Sequence, residues 1–283
     1  MKECYQTVNE SLLMSIGTAI IIAGTIFIQD SVFASQKNEA ILEPIEIKGE
    51  TTATTTNTTN IVLVHGSWGD GSIWSRVIPI LQNAGLKVTA VQLPLESLAD
   101  DIATVKRAIE HIGGPTILVG HSYGGVVMTN AGYNNSNVTG LVYLAAFAPD
   151  QGESLLEQGN NTADLPANLI TIDNEGFTLM NPDLIQEWFA QDVDPPVINI
   201  MSAVQKPTNQ LTFVEESGPP AWKQLPTWYQ ISENDRVVPP EYQHFVAGRM
   251  NATSLSLNAS HFSQLSQPDE IAELILNATK GKR

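Results

Sequence analysis

The chain has 283 residues, 42% of them hydrophobic, which is enough for one sizeable core, or a core carrying an inserted subdomain, and argues against disorder. Its 14 basic and 30 acidic side chains leave a formal net charge of −16 with no Lys/Arg cluster, a balance that repels phosphate backbones and anionic membrane surfaces and so argues against nucleic-acid binding. The acidity itself reads as a solvated surface.

In chain order, the first feature is an uncharged run of 17 residues, 12–28 (LLMSIGTAIIIAGTIFI), between the length of a signal-peptide core and that of a minimal membrane span. Residues 1–34 are therefore predicted to be a signal peptide or a membrane anchor. Val32-Phe33-Ala34 before Ser35 offers small residues to a signal peptidase, while the leading MKECYQTVNE, with one lysine against two glutamates, makes a poor leader. Residues 35–59 follow as a Thr/Asn-rich linker, ending in GETTATTTNTTN, which disfavours a buried core helix before it. The sole cysteine, Cys4, precedes the apolar run, so the rest of the chain has no disulfide, thiol nucleophile or thiolate metal ligand. Eight N-x-S/T sequons, at Asn9, Asn57, Asn134, Asn137, Asn160, Asn251, Asn258 and Asn277, favour export. The expectation is an exported or membrane-anchored protein with residues 60–283 outside the cytoplasm, touching a membrane only through its N-terminal segment.

From Asn60 short β-rich runs alternate with segments of helical period: IVLVHG, SIWSRVIPILQNAG, KVTAVQLP, SLADDIATVKRAIEHI and PTILVG. That rhythm predicts an α/β fold, a mostly parallel sheet with helices on both faces. Ser97 is the predicted N-cap of one helix, and Gly113-Gly114-Pro115 ends it. A helix after Gly124 and a strand in TGLVYLAAF follow. The rhythm breaks over 151–225, rich in Pro, Asn and Gln, and too long for a structureless loop in a compact domain; it is predicted to be an inserted, mostly helical lid. PTWYQIS (strand), PPEYQHFVAGRM (helix), ATSLSLN (strand) and QPDEIAELILNAT (helix) close the domain 60–283.

Between strand and helix lies Gly120-His121-Ser122-Tyr123-Gly124, a G-x-S-x-G turn whose context fits a nucleophile elbow; side chains at Gly120 or Gly124 would collide with the neighbouring helix and strand. A serine hydroxyl needs a base to take its proton and a carboxylate to orient that base. Of five histidines, His65 ends the first strand, His121 is turned away beside the serine, and His111 and His244 lie late in amphipathic helices. His261, in the loop after the last strand, remains. For the acid, Asp235 is preferred over Glu233 in ISENDRVVPP, with Asp150 a third choice. The oxyanion requires preorganised donors, expected from the backbone N–H of Tyr123 and of Ser67, with Trp68 next, in the glycine-rich HGSWG loop.

Together VLVHGSWGDGSIW, VGHSYGG, LVYLAAFAPD, ENDRVVPPEYQ and ASHF resemble the α/β-hydrolase superfamily, in its esterase branch related to plant methylesterases and hydroxynitrile lyases, over roughly residues 60–278. The resemblance implies the triad Ser122, Asp235 and His261. It also shows departures: the lyases carry a lysine after the catalytic histidine and a threonine after the strand-end histidine, where this chain has Phe262 and Gly66, so cyanohydrin cleavage is disfavoured. A serine at the elbow argues against dehalogenase and epoxide hydrolase chemistry. The expected function is hydrolysis of a small-molecule carboxylic ester through an acyl-enzyme, with no cofactor and no metal; an amidase, lactonase or perhydrolase, or a non-catalytic ligand-binding protein on the same scaffold, are the alternatives. Trp68, Trp188, Phe189 and Trp222 are candidates for the walls of an apolar pocket, against ordinary packing. Nothing in the sequence sets an oligomeric state.

Overall fold

The structure is a computed structural model that describes residues 59–159 and 165–281. Residues 1–34, predicted to be a signal peptide or membrane anchor, nearly all of the predicted linker 35–59 and the sequons at Asn9, Asn57 and Asn160 lie outside the described residues. Among the described residues no helix is long and apolar enough to cross a membrane.

The chain runs through β1 (Asn60–Val64), a 3-10 turn at Gly71–Trp74, α1 (Ile78–Asn83), β2 (Lys87–Ala90), α2 (Leu98–Ile112), β3 (Thr116–His121), α3 (Gly124–Ala131) and β4 (Val138–Leu144). The insertion contributes α4 (Leu155–Gly159), β5 (Ile170–Ile172), β6 (Phe177–Met180), α5 (Ile185–Trp188), α6 (Pro195–Ala203), β7 (Thr208–Asn209) and α7 (Leu211–Val214). The fold then closes with β8 (Thr227–Ser232), α8 (Pro240–Arg249), β9 (Thr253–Leu257), α9 (Ser263–Ser266) and α10 (Pro268–Thr279).

Six strands form one all-parallel sheet in the order β2-β1-β3-β4-β8-β9. Its strands alternate as a two-sided core requires. Val62, Val64 and Leu118 face one apolar layer with α2, α3 and α8, while Ile61, Leu63, Ile117 and Val119 face another with α1 and α10. Helix α2 shows how local sequence serves that packing. The Ser97 hydroxyl caps it by accepting from Asp100 N–H at 3.1 Å, Gly113 ends it at φ +64°, and Leu98, Val105 and Ile109 form its buried stripe. Each such side chain contributes roughly 1.5–3 kcal/mol by leaving water.

One expectation changes and another gains a sheet. The stretch predicted as one helix from Ser72 divides into the 3-10 turn and α1, because Pro79 has no N–H to donate and is tolerated only in a first turn. The insertion carries the short helices α4 to α7 that its predicted helical character called for, and adds to them a three-stranded antiparallel sheet, β5-β6-β7. The turn joining β5 and β6 carries Gly176 at φ +86°, a left-handed conformation that favours glycine.

Candidate active site

Every predicted site residue of the core domain stands just past the carboxyl end of a strand: Ser67 and Trp68 after β1, Ser122 after β3, Asp235 after β8 and His261 after β9. Ligand sites of open α/β sheets gather at this edge.

Ser122 has φ +54°, in the left-handed region that a non-glycine residue enters at a cost of about 1–3 kcal/mol. Its neighbours make that turn possible. A Cβ on Gly124 would lie 2.4 Å from the Val64 carbonyl oxygen, and one on Gly120 would lie 2.7 Å from that of Gly124, so α3 can approach β1 and β3 only with glycines there. The backbone is fixed by Ser122 N–H donating to Leu144 O at 3.2 Å and by Gly125 and Phe147 N–H donating to Ser122 O at 3.0 and 3.2 Å.

Asp235 and His261 meet in the buried interior. His261 Nδ1 lies 2.7 Å from Asp235 Oδ2; a carboxylate only accepts, so Nδ1 carries the proton and Nε2 keeps a free lone pair. The carboxylate is fully occupied: Oδ1 accepts Val237 and Val238 N–H at 2.8 and 2.9 Å, and Oδ2 also accepts Gln243 Nε2 at 3.0 Å. Gln243, entirely buried on α8, ties the Asp235 loop to its strand by accepting Ser232 N–H at 2.9 Å and donating to Val238 O at 2.7 Å. Sequence reasoning missed it, since a glutamine within a helix of low amphipathic contrast carries no local signal. The rival acids are engaged elsewhere. Glu233 lies 3.1 Å from His244 on the surface, and Asp150 pairs with Lys223 at 2.5 Å.

His261 is bracketed by His121 and Phe189, with ring centroids 4.6 and 6.1 Å away. His121 Nε2–H donates to His261 O at 2.8 Å, so the residue preceding the elbow serine holds the backbone of His261. Burial first, and then the neighbouring His261, hold the His121 imidazole well below the usual histidine range, which keeps it neutral. Among the described residues His261 makes its side-chain hydrogen bond to Asp235 and none to Ser122. Nucleophile–base contacts often close only when a substrate is bound.

The loop after β1 is set by His65. Its Nδ1–H donates to Gly66 O at 2.8 Å while Nε2 accepts Leu93 N–H at 3.0 Å, a pairing that needs the neutral ring; burial drives its pKa down to about 4. In a trans peptide the N–H opposes the C=O, so anchoring Gly66 O toward the core aims Ser67 N–H the other way. Ser67, Trp68, Ser122 and Tyr123 all line one cavity of about 340 Å³, whose other described lining residues are apolar: Phe147, Phe189, Phe213, Val237 and leucines and Ile170 of the insertion. The Tyr123 side chain points away, its hydroxyl donating to the buried Asp101 carboxylate at 2.7 Å.

Of the four predicted wall aromatics, Trp68 and Phe189 line this cavity. Trp188 and Trp222 do not. Trp222 is buried beneath Arg249, its Nε1–H donating to Pro149 O at 3.0 Å, and Trp188 packs against the core layer that holds α1 and α10. An aromatic's presence in a lid says nothing of which face it takes. Among the described residues no cluster of His, Cys, Asp and Glu is arranged to hold a metal ion.

An elbow serine, a carboxylate-bound imidazole and a glycine-rich loop at one sheet edge define the α/β-hydrolase class, and residues 61–274 match the model of the alpha/beta hydrolase family: the chain belongs to it. Among its relatives are polyneuridine aldehyde esterase of Rauvolfia serpentina, 24% identical over 77% of this chain and 94% of that one, and salicylic acid-binding protein 2 of Nicotiana tabacum, 25% identical over 77% and 95%. In solved structures, polyneuridine aldehyde esterase superposes with a TM-score of 0.69 at 21% identity, covering 78% of this chain and 99% of the other. A pyrethroid hydrolase from Sphingobium faniae gives 0.68 at 22%, covering 79% and 98%.

Proposed function

We propose that the protein is a serine hydrolase of carboxylic esters that works without a cofactor, with Ser122 as nucleophile, His261 as base and Asp235 as the carboxylate that orients it. The observation carrying this reading is the His261 Nδ1–Asp235 Oδ2 contact of 2.7 Å beside an elbow serine that opens onto an apolar cavity. His261 Nε2 takes the Ser122 proton as Oγ attacks the ester carbonyl. The tetrahedral oxyanion rests on the Ser67 and Tyr123 amides, the alcohol leaves with the proton from His261, and water, deprotonated by the same imidazole, cleaves the acyl-enzyme. Asp235 keeps Nδ1–H in place and stabilises the imidazolium that forms.

The wall supports an uncharged, apolar substrate. Among the described residues, beyond Ser67, Ser122, Tyr123 and the Trp68 indole already bonded to Thr178, the lining has no polar side chain, and no charged one to compensate an ionised acyl or alcohol group. The names of the relatives, esterases among them, agree with ester chemistry. The apolar run at residues 12–28 and the sequons support export or anchoring of this domain outside the cytoplasm.

The test is a panel of esters, amides and lactones of graded chain length, assayed on wild type and on Ser122→Ala. Neutral apolar esters are expected to turn over, and the variant to lose about four to six orders of magnitude in kcat. Equal turnover in both proteins would remove Ser122 from the mechanism, and preference for an amide or lactone would reassign the substrate class.

A further inference from the structure

Trp68 follows Ser67 with φ +59°, a left-handed turn that a bulky residue holds only under external constraint. That constraint comes from the insertion. Trp68 N–H donates to Thr208 Oγ1 at 2.9 Å, its indole Nε1–H donates to Thr178 Oγ1 at 2.9 Å, and its carbonyl accepts Lys206 N–H at 3.0 Å. All three polar groups of the residue are thus taken by the lid, at β6 and at the entry to β7. Thr178 and Thr208 are cross-strand partners in β6 and β7, and the Thr178 hydroxyl passes on the chain by donating to Thr208 O at 2.8 Å. Both threonines are buried, at 5% and 0% exposure, so neither has water as a substitute partner. β7 is itself anchored to the loop after β2, where Asn209 N–H donates to Leu95 O at 2.8 Å and the Lys206 ammonium donates to Leu93 O.

Two consequences follow for the oxyanion donors. Trp68 N–H, the second choice at the sequence level, is engaged by Thr208 and points at the lid. Ser67 lies between two tethered peptides: His65 holds the Gly66 carbonyl on one side, and Thr208 holds the Trp68 amide on the other. Gly66 packs closely against the elbow, where a Cβ on it would lie 2.8 Å from Ser122 Cβ, and among the described residues the buried Ser67 hydroxyl has no hydrogen-bond partner, so the side chain of Ser67 adds no polar tether of its own. We propose that Thr178 and Thr208 are positioning residues of the oxyanion hole: their hydroxyls hold Trp68 in its left-handed turn and thereby fix the direction of the Ser67 amide. The lid sheet is then part of the catalytic apparatus as well as a pocket wall. This inference rests on the hydrolase reading above.

The test compares Thr178→Val and Thr208→Val, which keep shape and lose the hydroxyl, with Thr178→Ser and Thr208→Ser, which keep it. Rates are taken per active site, titrated with a covalent serine reagent, so that a loss of folded protein does not pass for a loss of kcat. With an apolar ester, each valine variant is expected to lose about tenfold in kcat with KM changed less than twofold, because the oxyanion exists only in the transition state. Inhibition by a trifluoromethyl ketone analogue, whose adduct carries that oxyanion, should weaken by the same factor, and the serine variants should recover most of both. Valine variants with wild-type kcat per active site overturn the proposal, as does a loss that serine does not recover. Where a buried valine prevents folding, Trp68→Phe removes the Nε1–Thr178 bond from its other end; a wild-type kcat and unchanged ketone inhibition there also overturn it. The underlying hydrolase reading fails separately, by equal turnover in wild type and Ser122→Ala.

Discussion

Asp235 and Glu233 lie two residues apart in one loop, and the choice between them turns on what each oxygen touches. Asp235 is buried at 5% exposure with four donors on its two oxygens, one of them His261 Nδ1, whereas Glu233 meets only the exposed His244. Asp235→Asn keeps the shape but replaces one acceptor with a donor, favouring the wrong histidine tautomer. A loss of about 10³–10⁴-fold in kcat is expected, against less than about twofold for Glu233→Gln. Steady-state kinetics on an apolar ester checks this, and the opposite ranking would reassign the acid. At this scale the sequence was informative where chemistry narrows the choice: few histidines, one elbow serine, and carboxylates at strand ends. It was silent on Gln243 and His121, whose contributions are hydrogen bonds to Asp235 Oδ2 and to the His261 carbonyl across 8 and 140 residues of chain.

Among the elements, the parallel sheet was readable because each strand carries its own signal, a short β-branched run bounded by turn residues, and helix α2 its own cap and apolar stripe. Strands β3, β8 and β9 lie where PTILVG, PTWYQIS and ATSLSLN place them. The lid was not readable in this way. Its strands are three, four and two residues long, and β7 finds β6 only across a gap of some 30 residues, so the decisive contact is tertiary. The same holds for the join between lid and core. Trp68 and Thr208 are 140 residues apart, and no local pattern marks either as the other's partner. Short strands that gain stability only by docking on another element are the part of a fold that propensity specifies least.

For the molecule as a whole, two buried groups, Asp101 and His65, give stability opposite dependences on pH. Burial pushes the Asp101 pKa from 3.8 up to about 6, with the Leu95 N–H and Tyr123 hydroxyl bonds opposing the shift, while burial takes His65 from 6.5 down to about 4. Between pH 4 and 6 the fold binds the Asp101 proton more tightly than the unfolded chain does, so this group's contribution falls as pH rises. His65 does the reverse: the fold sheds its proton, and stability rises from pH 4 to 6.5. Asp101→Asn removes the falling branch alone. Thermal melts between pH 4 and 7 should therefore show Tm climbing more steeply in the variant than in wild type; parallel curves would mean that Asp101 is not held protonated by its surroundings.

The most direct measurement on the central assignment is covalent labelling by a fluorophosphonate, read by mass spectrometry of the intact protein and of its peptides. One adduct is expected, on Ser122, formed rapidly in wild type, lost in Ser122→Ala and slowed by several orders of magnitude in His261→Ala. A wild-type protein whose Ser122 stays unmodified, or one labelled equally fast without the imidazole of residue 261, would contradict the account.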